Sequence, residues 1–246
     1  MSGDIKEKHI LITGAASGIG KAVALKLAEK GAKLLILDIE YEKLEEVRRY
    51  VMDNCPLCTT CFSEKCDVRE EDQVKDTIEK FIGSCGKIDV LVNNAGILDY
   101  EKLHKQDPDK WKDVVNTNLY GSFLCSRYVL PYMIEREKGH IINMSSVYGK
   151  TGSPESSAYC ASKFGIRGMS QSLQQEVGQY NVRVSVVHPS TTQTNLFQGT
   201  PLKPNKETAL VPEDIAKAVY STIMMREGAT ISEVDVVPIK NPYGED

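Results

Sequence analysis

The sequence has no apolar run long enough to cross a membrane and no cluster of basic residues. A membrane helix needs about 20 consecutive apolar residues, and no segment approaches that length. The first eight residues are polar and lack the apolar core of a secretory signal peptide. With 34 acidic and 30 basic side chains, the net charge of −4 does not favour nucleic acid. We therefore expect neither a membrane nor a nucleic-acid partner.

The sequence also lacks the even cysteine count of a disulfide framework. It has seven cysteines and no secretory signal, which predicts reduced thiols and a cytoplasmic location. Cys55, Cys58 and Cys61 have a spacing typical of metal or redox sites. A strand is predicted over residues 59–68, however, and residues three positions apart on a strand face opposite ways. We therefore predict that Cys58 and Cys61 diverge and that no metal binds.

Repeats and linkers are missing too, and the 246 residues form one predicted domain, 1–246. Apolar strand-like runs alternate with amphipathic helical segments along the whole chain. This alternation predicts an α/β fold, in which helices cover both faces of a parallel sheet. The predicted strands are residues 9–13, 33–37, 59–68, 88–95, 139–146, 181–188 and 233–238.

A glycine turn follows the first predicted strand and opens a helix. Gly14, Gly18 and Gly20 allow the backbone to approach a phosphate, and the helix amino terminus attracts its charge. The spacing G-x-x-x-G-x-G departs from the common dinucleotide fingerprint G-x-G-x-x-G. Asp38 ends the second strand, where a carboxylate can bind both ribose hydroxyls and repel a 2′-phosphate. This favours NAD over NADP, although Asp38 also suits an ordinary helix N-cap.

A tyrosine and a lysine four residues apart are the main candidates for chemistry. Tyr159 and Lys163 lie on one face of a predicted helix, and the ammonium is expected to lower the pKa of the phenol. Ser146 ends the fifth strand, at the sheet edge where such folds bind ligands. A hydroxyl donor, a proton carrier and a cation together suit carbonyl–alcohol chemistry. Taken alone, such a Tyr–Lys pair is usually a solvated pair on a helix.

Two further segments are unusual for their polarity. Asn116 and Asn118 fall within the helical stretch 107–136, which predicts a kink or a buried polar site. Residues 190–211 form a long polar loop, and we predict that it is a mobile lid over a binding site.

The motifs in this order closely resemble the short-chain dehydrogenase/reductase family, in its NAD-binding branch. Thr13–Gly20 match the family pattern T-G-x-x-x-G-x-G, and Asn93–Gly96 match N-N-A-G. The resemblance covers almost the whole chain. It implies a three-layer doubly wound (Rossmann) fold with a seven-stranded parallel sheet. The implied activity is hydride exchange between a nicotinamide and an alcohol or ketone.

The resemblance also implies roles for individual residues. The catalytic set is Asn118, Ser146, Tyr159 and Lys163, with Asn118 holding a water that links Lys163 to solvent. NAD is the implied cofactor. Its implied contacts are Gly14, Ser17, Gly18, Ile19, Gly20, Asp38, Asp67, Val68, Asn94, Ala95, Gly96, Tyr159, Lys163, Pro189 and Thr194. The chain departs from the family pattern at Ser190, where glycine is usual, and in its last strand, which lacks Asp-Gly-Gly.

The substrate is a small alcohol or ketone in this interpretation, bound by Ser146, Tyr148, Leu196 and Phe197. Leu98, Val147 and Pro154 are further candidates for the pocket wall. The alternatives are an NADP-dependent 3-oxoacyl thioester reductase and a dinucleotide-binding regulatory protein without turnover.

Surplus apolar residues on the two long helices predict a homo-oligomer, either a dimer or a tetramer. These residues are Leu124, Tyr128, Phe164 and Met169.

Overall fold

The computed structural model of the chain describes residues 5–243, so residues 1–4 and 244–246 of the predicted domain lie outside the described part. Its strands are β1 His9–Thr13, β2 Lys33–Asp38, β3 Cys61–Lys65, β4 Val90–Asn93, β5 Gly139–Met144, β6 Val182–Pro189 and β7 Glu233–Val236. They form one parallel sheet in the order β3-β2-β1-β4-β5-β6-β7. This confirms the predicted seven-stranded doubly wound fold.

Helices connect the strands and cover both faces of the sheet. They are α1 Gly18–Glu29, α2 Tyr41–Asn54, α3 Glu71–Cys85, α4 Pro108–Val115, α5 Gly121–Glu135, α6 Ser157–Val177 and α7 Pro212–Ile223. In the part of the chain that the structure describes, none of these helices combines the length and the apolarity needed to cross a membrane.

Alternation along the strands produces two hydrophobic cores. In β1, Ile10 and Ile12 contribute to one core, while Leu11 between them contributes to the other. The first core is completed by apolar residues of α1, α2 and α7. The second is completed by α3, α5 and the end of α6. The strands are therefore apolar on both sides, as expected for a sheet with two helical layers.

The cysteine cluster departs from its prediction. β3 begins only at Cys61, and the chain turns before it, with the N–H of Cys58 donating to the carbonyl of Cys55 (2.9 Å). All three side chains are buried in the first core, so the prediction that Cys58 and Cys61 diverge is wrong. Burial raises the pKa of the Cys61 thiol to about 12. Within residues 5–243 no group of three or more His, Cys, Asp or Glu side chains is arranged to hold a metal ion.

The helical stretch predicted over residues 107–136 contains a local irregularity at its asparagines. Between α4 and α5 the chain makes a π-helical turn, Asn116–Tyr120. Asn118 is completely buried in this turn. The expected buried polar site is therefore confirmed at Asn118, whereas Asn116 is exposed. π-helical turns of this kind often occur at functional sites.

The order of the strands sets where a ligand can bind. From β1 the sheet grows outward to β3 on one side, and from β4 it grows to β7 on the other. The hydroxyl of Thr13, at the end of β1, accepts the N–H groups of Asn94 and Ala95 after β4 (both 3.0 Å). The carboxyl edge between these two strands is the crevice at which open α/β sheets bind their ligands.

Candidate active site

The glycine turn after β1 requires glycine for two different reasons. Gly14 and Gly18 have positive φ values of 65° and 53°, which other residues rarely adopt. A Cβ on Gly20 would lie 2.0 Å from the carbonyl oxygen of Gly14, so no larger residue fits there. Gly20 thus lies behind the turn and lets α1 approach it. The start of α1 lines a cleft through Ser17, Gly18 and Ile19, and a helix amino terminus attracts phosphate.

Asp38 lies at the same edge, at the end of β2. Its two carboxylate oxygens accept the N–H groups of Ala16 and Glu40, both at 3.0 Å. These bonds orient the carboxylate in the wall of the cleft. The N-cap of α2 is Glu40, so the alternative interpretation of Asp38 as an ordinary N-cap is wrong.

Arg69 lines the same cleft as Asp38 and was not predicted from the sequence. Both carboxylate oxygens of Asp67 accept its guanidinium hydrogens, at 2.7 to 3.1 Å, and Asp113 accepts another at 3.1 Å. These hydrogen bonds lower the pKa of the Asp67 carboxyl. Two carboxylates therefore offset the cation. The sequence does contain a signal for Arg69, because this residue lies two positions after Asp67, just beyond the carboxyl end of β3.

Three polar side chains meet at the ends of β5 and β6. The hydroxyl of Ser146 accepts the N–H of Tyr148 (3.1 Å) and donates to the carbonyl of Pro189 (3.3 Å). Tyr159 and Lys163 lie one turn apart on α6, with Lys163 Nζ 5.4 Å from the centre of the Tyr159 ring. Ser146, Tyr159 and Lys163 all line the cleft. The structure thus brings together the three groups that the sequence singled out.

Their protonation differs from the expectation. Burial raises the pKa of Tyr159 to about 12, although the hydroxyl of Ser146 acts to lower it. Burial lowers the pKa of Lys163 to about 7, and its amino group donates to the carbonyl of Met144 (2.8 Å). The predicted lowering of the Tyr159 pKa is wrong, because the net shift is upward. Loss of solvent around the phenolate outweighs the attraction of the neighbouring amine, whose own burial favours its neutral form.

Lys163→Met should stabilise the protein at neutral pH and lose this advantage as the pH rises. Because the folded pKa of about 7 lies below the ordinary 10.5, the buried ammonium costs stability at and below pH 7. Between these two values the unfolded state binds the extra proton, so wild-type stability rises with pH. At roughly 1.4 kcal/mol per pKa unit, the difference in unfolding free energy should reach a few kcal/mol. Urea denaturation at pH 7 and pH 10 measures it.

Lys110→Met provides the matched control, because Lys110 is exposed on α4. It should leave the free energy of unfolding nearly unchanged at both pH values. The same stability gain from Lys163→Met at pH 7 and at pH 10 would contradict the assigned cause, since only a titrating buried amine makes that gain depend on pH.

Asn118 lies beside Lys163, but the hydrogen bonds of its amide group are with Ile97 and Ser162. Its Nδ2 donates to the carbonyl of Ile97 and to the hydroxyl of Ser162, both at 3.0 Å, and its Oδ1 accepts the N–H of Ile97 (2.8 Å). A Cβ on Gly96 would lie 3.2 Å from this Oδ1 and 3.7 Å from Lys163 Nζ, so both groups surround one point. Asn118 therefore fixes the chain after β4 against α6. Its part in a water relay stays a prediction.

A charged network behind Ser146 has no counterpart in the sequence analysis. His188, fully buried in β6, has Nδ1 3.0 Å from the carbonyl oxygen of Ser146 and Nε2 3.3 Å from the Glu233 carboxylate. Arg167 and Lys150 also contact Glu233, at 2.9 and 3.3 Å. Partial burial acts to raise the pKa of Glu233, and the hydrogen bonds from its neighbours lower it to about 2. The network connects β6, β7 and α6 and holds the backbone at Ser146.

The part of the cleft beyond β5 and β6 combines apolar side chains with hydroxyl groups. Pro154, a predicted wall residue, is exposed and lies away from it. Leu202 and Tyr243 also line the cleft and were not predicted as wall residues. The predicted residues that do line this part are Leu98, Val147, Tyr148, Leu196 and Phe197.

The loop over residues 190–211 is fastened at its base. Thr192 pairs with Leu210, and the N–H of Gln193 donates to the carbonyl of Leu210 (2.8 Å). Ser190, which replaces the family glycine, is not among the residues of positive φ in the described chain, so serine fits here. Thr194 packs against Gly18 and lines the cleft.

One cleft of about 570 Å³ is lined by the front of the glycine turn and by Asp38, Arg69, Ser146, Tyr159 and Lys163, whereas Asn118 and the network around Glu233 are not part of its lining. The sheet order places the ends of β2 and β3, with Asp38 and Arg69, on one side of the glycine turn. It places the ends of β5 and β6, with Ser146 and Tyr159, on the other. We refer to these regions as the β2–β3 end and the β5–β6 end of the cleft.

Comparisons with known proteins agree with this geometry. The model of the short chain dehydrogenase family matches residues 8–205. The 3-oxoacyl-(acyl-carrier-protein) reductase of Thermotoga maritima is 38% identical over 224 residues, which cover 87% of this chain and 89% of that protein.

Two solved structures are similar over nearly their full length. A metagenomic short-chain oxidoreductase in complex with NADP is 33% identical, with a TM-score of 0.84, covering 97% of this chain and 100% of that one. Levodione reductase is 28% identical, with a TM-score of 0.85 and 96% coverage of both chains.

Proposed function

The chain belongs to the short-chain dehydrogenase/reductase family and is therefore an oxidoreductase, and we propose that it exchanges hydride between NAD and a secondary alcohol or ketone. The observation that carries the proposal is the meeting of Ser146, Tyr159 and Lys163 in a cleft that also holds the glycine turn and Asp38. The proton carrier, the hydrogen-bond donor and the residues suited to a dinucleotide therefore line the same cleft.

The cleft residues fit a nicotinamide dinucleotide. The tight approach of Gly20 to Gly14 and the helix amino terminus at Gly18 suit a pyrophosphate. The Asp38 carboxylate suits two ribose hydroxyls, which can donate to it. Val68 and Asp67 line the β2–β3 end, and Asn94, Ala95 and Gly96 line the middle. The dinucleotide, when bound, accepts or supplies the hydride.

Tyr159 carries the proton in this mechanism, and Ser146 hydrogen-bonds the substrate oxygen. Because burial raises the pKa of Tyr159 to about 12, the phenol is protonated at neutral pH and ready to donate. Ketone reduction is therefore favoured near neutral pH, and alcohol oxidation should accelerate as the pH rises. Lys163 lies below the ring of Tyr159, where it can hold a ribose hydroxyl and stabilise developing phenolate charge.

The 38% sequence identity with a 3-oxoacyl-(acyl-carrier-protein) reductase supports a second candidate function, which is the reduction of a 3-oxoacyl thioester with NADPH. Asp38 argues against the use of NADPH, because its carboxylate repels a 2′-phosphate.

The test is an assay of the purified protein with NADH and NADPH against neutral ketones and a 3-oxoacyl thioester. Turnover of a neutral ketone with NADH supports the proposal. Turnover confined to the thioester with NADPH would establish the alternative.

We also propose that the protein is a two-fold homo-oligomer through α5 and α6. Phe164 on α6 and Phe123 on α5 are 44% and 41% exposed, which is costly in water. Leu124, expected on this surface, is fully buried in the second core, so that part of the prediction was wrong. A two-fold axis would cover both phenylalanines on both copies.

Phe164→Glu is expected to convert this oligomer to a monomer. It would bury an unpaired carboxylate in the proposed interface between α5 and α6 of the two copies. Light scattering at micromolar concentration measures the mass. Phe62→Glu is the matched control, since Phe62 is 43% exposed on β3 at the far edge of the sheet. It should not change the mass. A monomeric wild type would refute the assembly.

A further inference from the structure

The segment after β7 is fastened to the loop 190–211. The N–H of Asn205 donates to the carbonyl of Pro242 (2.8 Å), and the hydroxyl of Thr208 donates to the carbonyl of Asn241 (2.6 Å). The N–H of Tyr243 donates to the side chain of Asn241 (3.0 Å), which closes a turn. These bonds join two segments that are more than 30 residues apart in sequence, and they place Tyr243 at the cleft.

Tyr243 lies close to the reacting groups. Its hydroxyl accepts a hydrogen bond from Thr191 (3.0 Å), which follows Pro189-Ser190. Burial raises the pKa of Tyr243, and the neighbouring phenol of Tyr148 adds to this rise. Tyr148 in turn packs edge-on against Tyr159, with ring centres 6.4 Å apart. One aromatic ring therefore separates Tyr243 from the proton carrier.

The described residues at the β5–β6 end of the cleft carry little charge. Among the described residues lining the cleft, the formally charged side chains are Asp38, Glu40, Asp67 and Arg69 at the β2–β3 end, and Lys163 beneath Tyr159. The polar groups around the phenol of Tyr243 are the hydroxyls of Thr191 and Tyr148, and Leu196, Phe197 and Leu202 supply apolar wall at the same end. Because Lys163 lies beneath the ring of Tyr159, a carboxylate or phosphate on the outer part of the substrate would lose water here without gaining a counter-ion, and this opposes its binding.

We propose that Tyr243 is a specificity-determining residue of the substrate pocket, and that this pocket takes uncharged ketones or alcohols with an apolar body. The proposal rests on the proposed function, because it assigns the substrate class of the same site. The ring of Tyr243 forms the outer wall for the apolar body. Its hydroxyl, paired with Thr191, offers a hydrogen bond to a polar group distant from the carbonyl.

Steady-state kinetics of Tyr243→Ala and Tyr243→Phe with NADH test the proposal. The panel consists of neutral methyl ketones of increasing chain length and oxo acids of the same lengths. Ile239→Ala is the matched control, because Ile239 lies on the same segment and is fully exposed. Thermal unfolding and NADH affinity are measured for each variant to detect a merely structural effect.

Tyr243→Ala should raise KM for neutral ketones by roughly tenfold, the lower end of the effect of one methylene in an apolar pocket. Its kcat and its NADH affinity should remain near wild type, and its ranking of the ketones should shift toward longer chains. Tyr243→Phe keeps the wall and should raise KM less. Ile239→Ala should match wild type. Unchanged KM and ranking in Tyr243→Ala, or a preference of the wild type for oxo acids, would overturn the proposal.

A binding measurement separates this proposal from the proposed function. Trp111 is the single tryptophan of the chain and packs against the cluster that contains Tyr159, so its fluorescence is the binding signal chosen for the titration. Absence of turnover with every panel member would refute the proposed function. Weaker ketone binding by Tyr243→Ala than by wild type in the fluorescence titration would still support Tyr243 as the pocket wall. Equal binding, or no ketone binding by the wild type, would overturn its assignment.

Discussion

Tyr159→Phe is expected to lower kcat by roughly 10²- to 10⁴-fold, the usual contribution of a positioned general acid. The substitution keeps the ring that packs against Tyr148 and removes only the hydroxyl that carries the proton. NADH affinity should stay close to wild type, because Lys163 and the glycine turn are untouched. Single-turnover kinetics with saturating ketone and NADH measure the chemical step directly.

Tyr148→Phe is the matched control for this experiment. Its phenol belongs to the same wall, 6.4 Å from Tyr159 between ring centres, and is not assigned the proton. It should change KM more than kcat. A near wild-type rate for Tyr159→Phe, together with a large loss for Tyr148→Phe, would show that the proton passes through the other tyrosine.

Joint replacement of Asp38 by Ala and Ile39 by Arg is expected to reverse a preference for NAD into one for NADP. Two unit charges 4 Å apart near a protein surface interact by roughly 4 kcal/mol, which sets an upper limit of about 10³-fold. The wild type should therefore bind NAD⁺ between about 10- and 1,000-fold more tightly than NADP⁺. The double variant removes the repulsion and adds a cation for the 2′-phosphate. Fluorescence titration with both cofactors measures the ratio.

Glu40→Gln controls for a general change of charge at the β2–β3 end. Glu40 also lines the cleft, but its carboxylate pairs with Lys43 at 2.6 Å. The preference should stay within about fivefold of wild type, since exposed ion pairs contribute little. Equal affinities of the wild type for the two cofactors would remove Asp38 from its proposed role. Arg69 would then be the residue to replace, as the cation that shares this end of the cleft.

Local patterns account for what could be predicted from the sequence. Strand positions follow from apolar runs, and the glycine turn from residues that are close in sequence. The spacing of Tyr159 and Lys163 fixes their common face on α6, and the position of Ser146 after β5 fixes its edge of the sheet. Each inference needs only neighbouring residues and the rule that parallel strands end at one edge.

Contacts between distant segments were decided only by the tertiary structure. Thr191 and Tyr243 are 52 residues apart, and Arg167 and Glu233 are 66 apart, so no spacing in the sequence relates them. The convergence of Cys55, Cys58 and Cys61 on one core depends on where β3 begins.

The sequence by itself determined which groups share the carboxyl edge of the sheet, because helix and strand periodicity act over a few residues. It did not determine their protonation. The pKa values of Tyr159, about 12, and Lys163, about 7, follow from burial, to which every packed element contributes. The sequence did not determine the pocket wall at Tyr243 either, because this wall forms only when the segment after β7 folds back onto the loop 190–211.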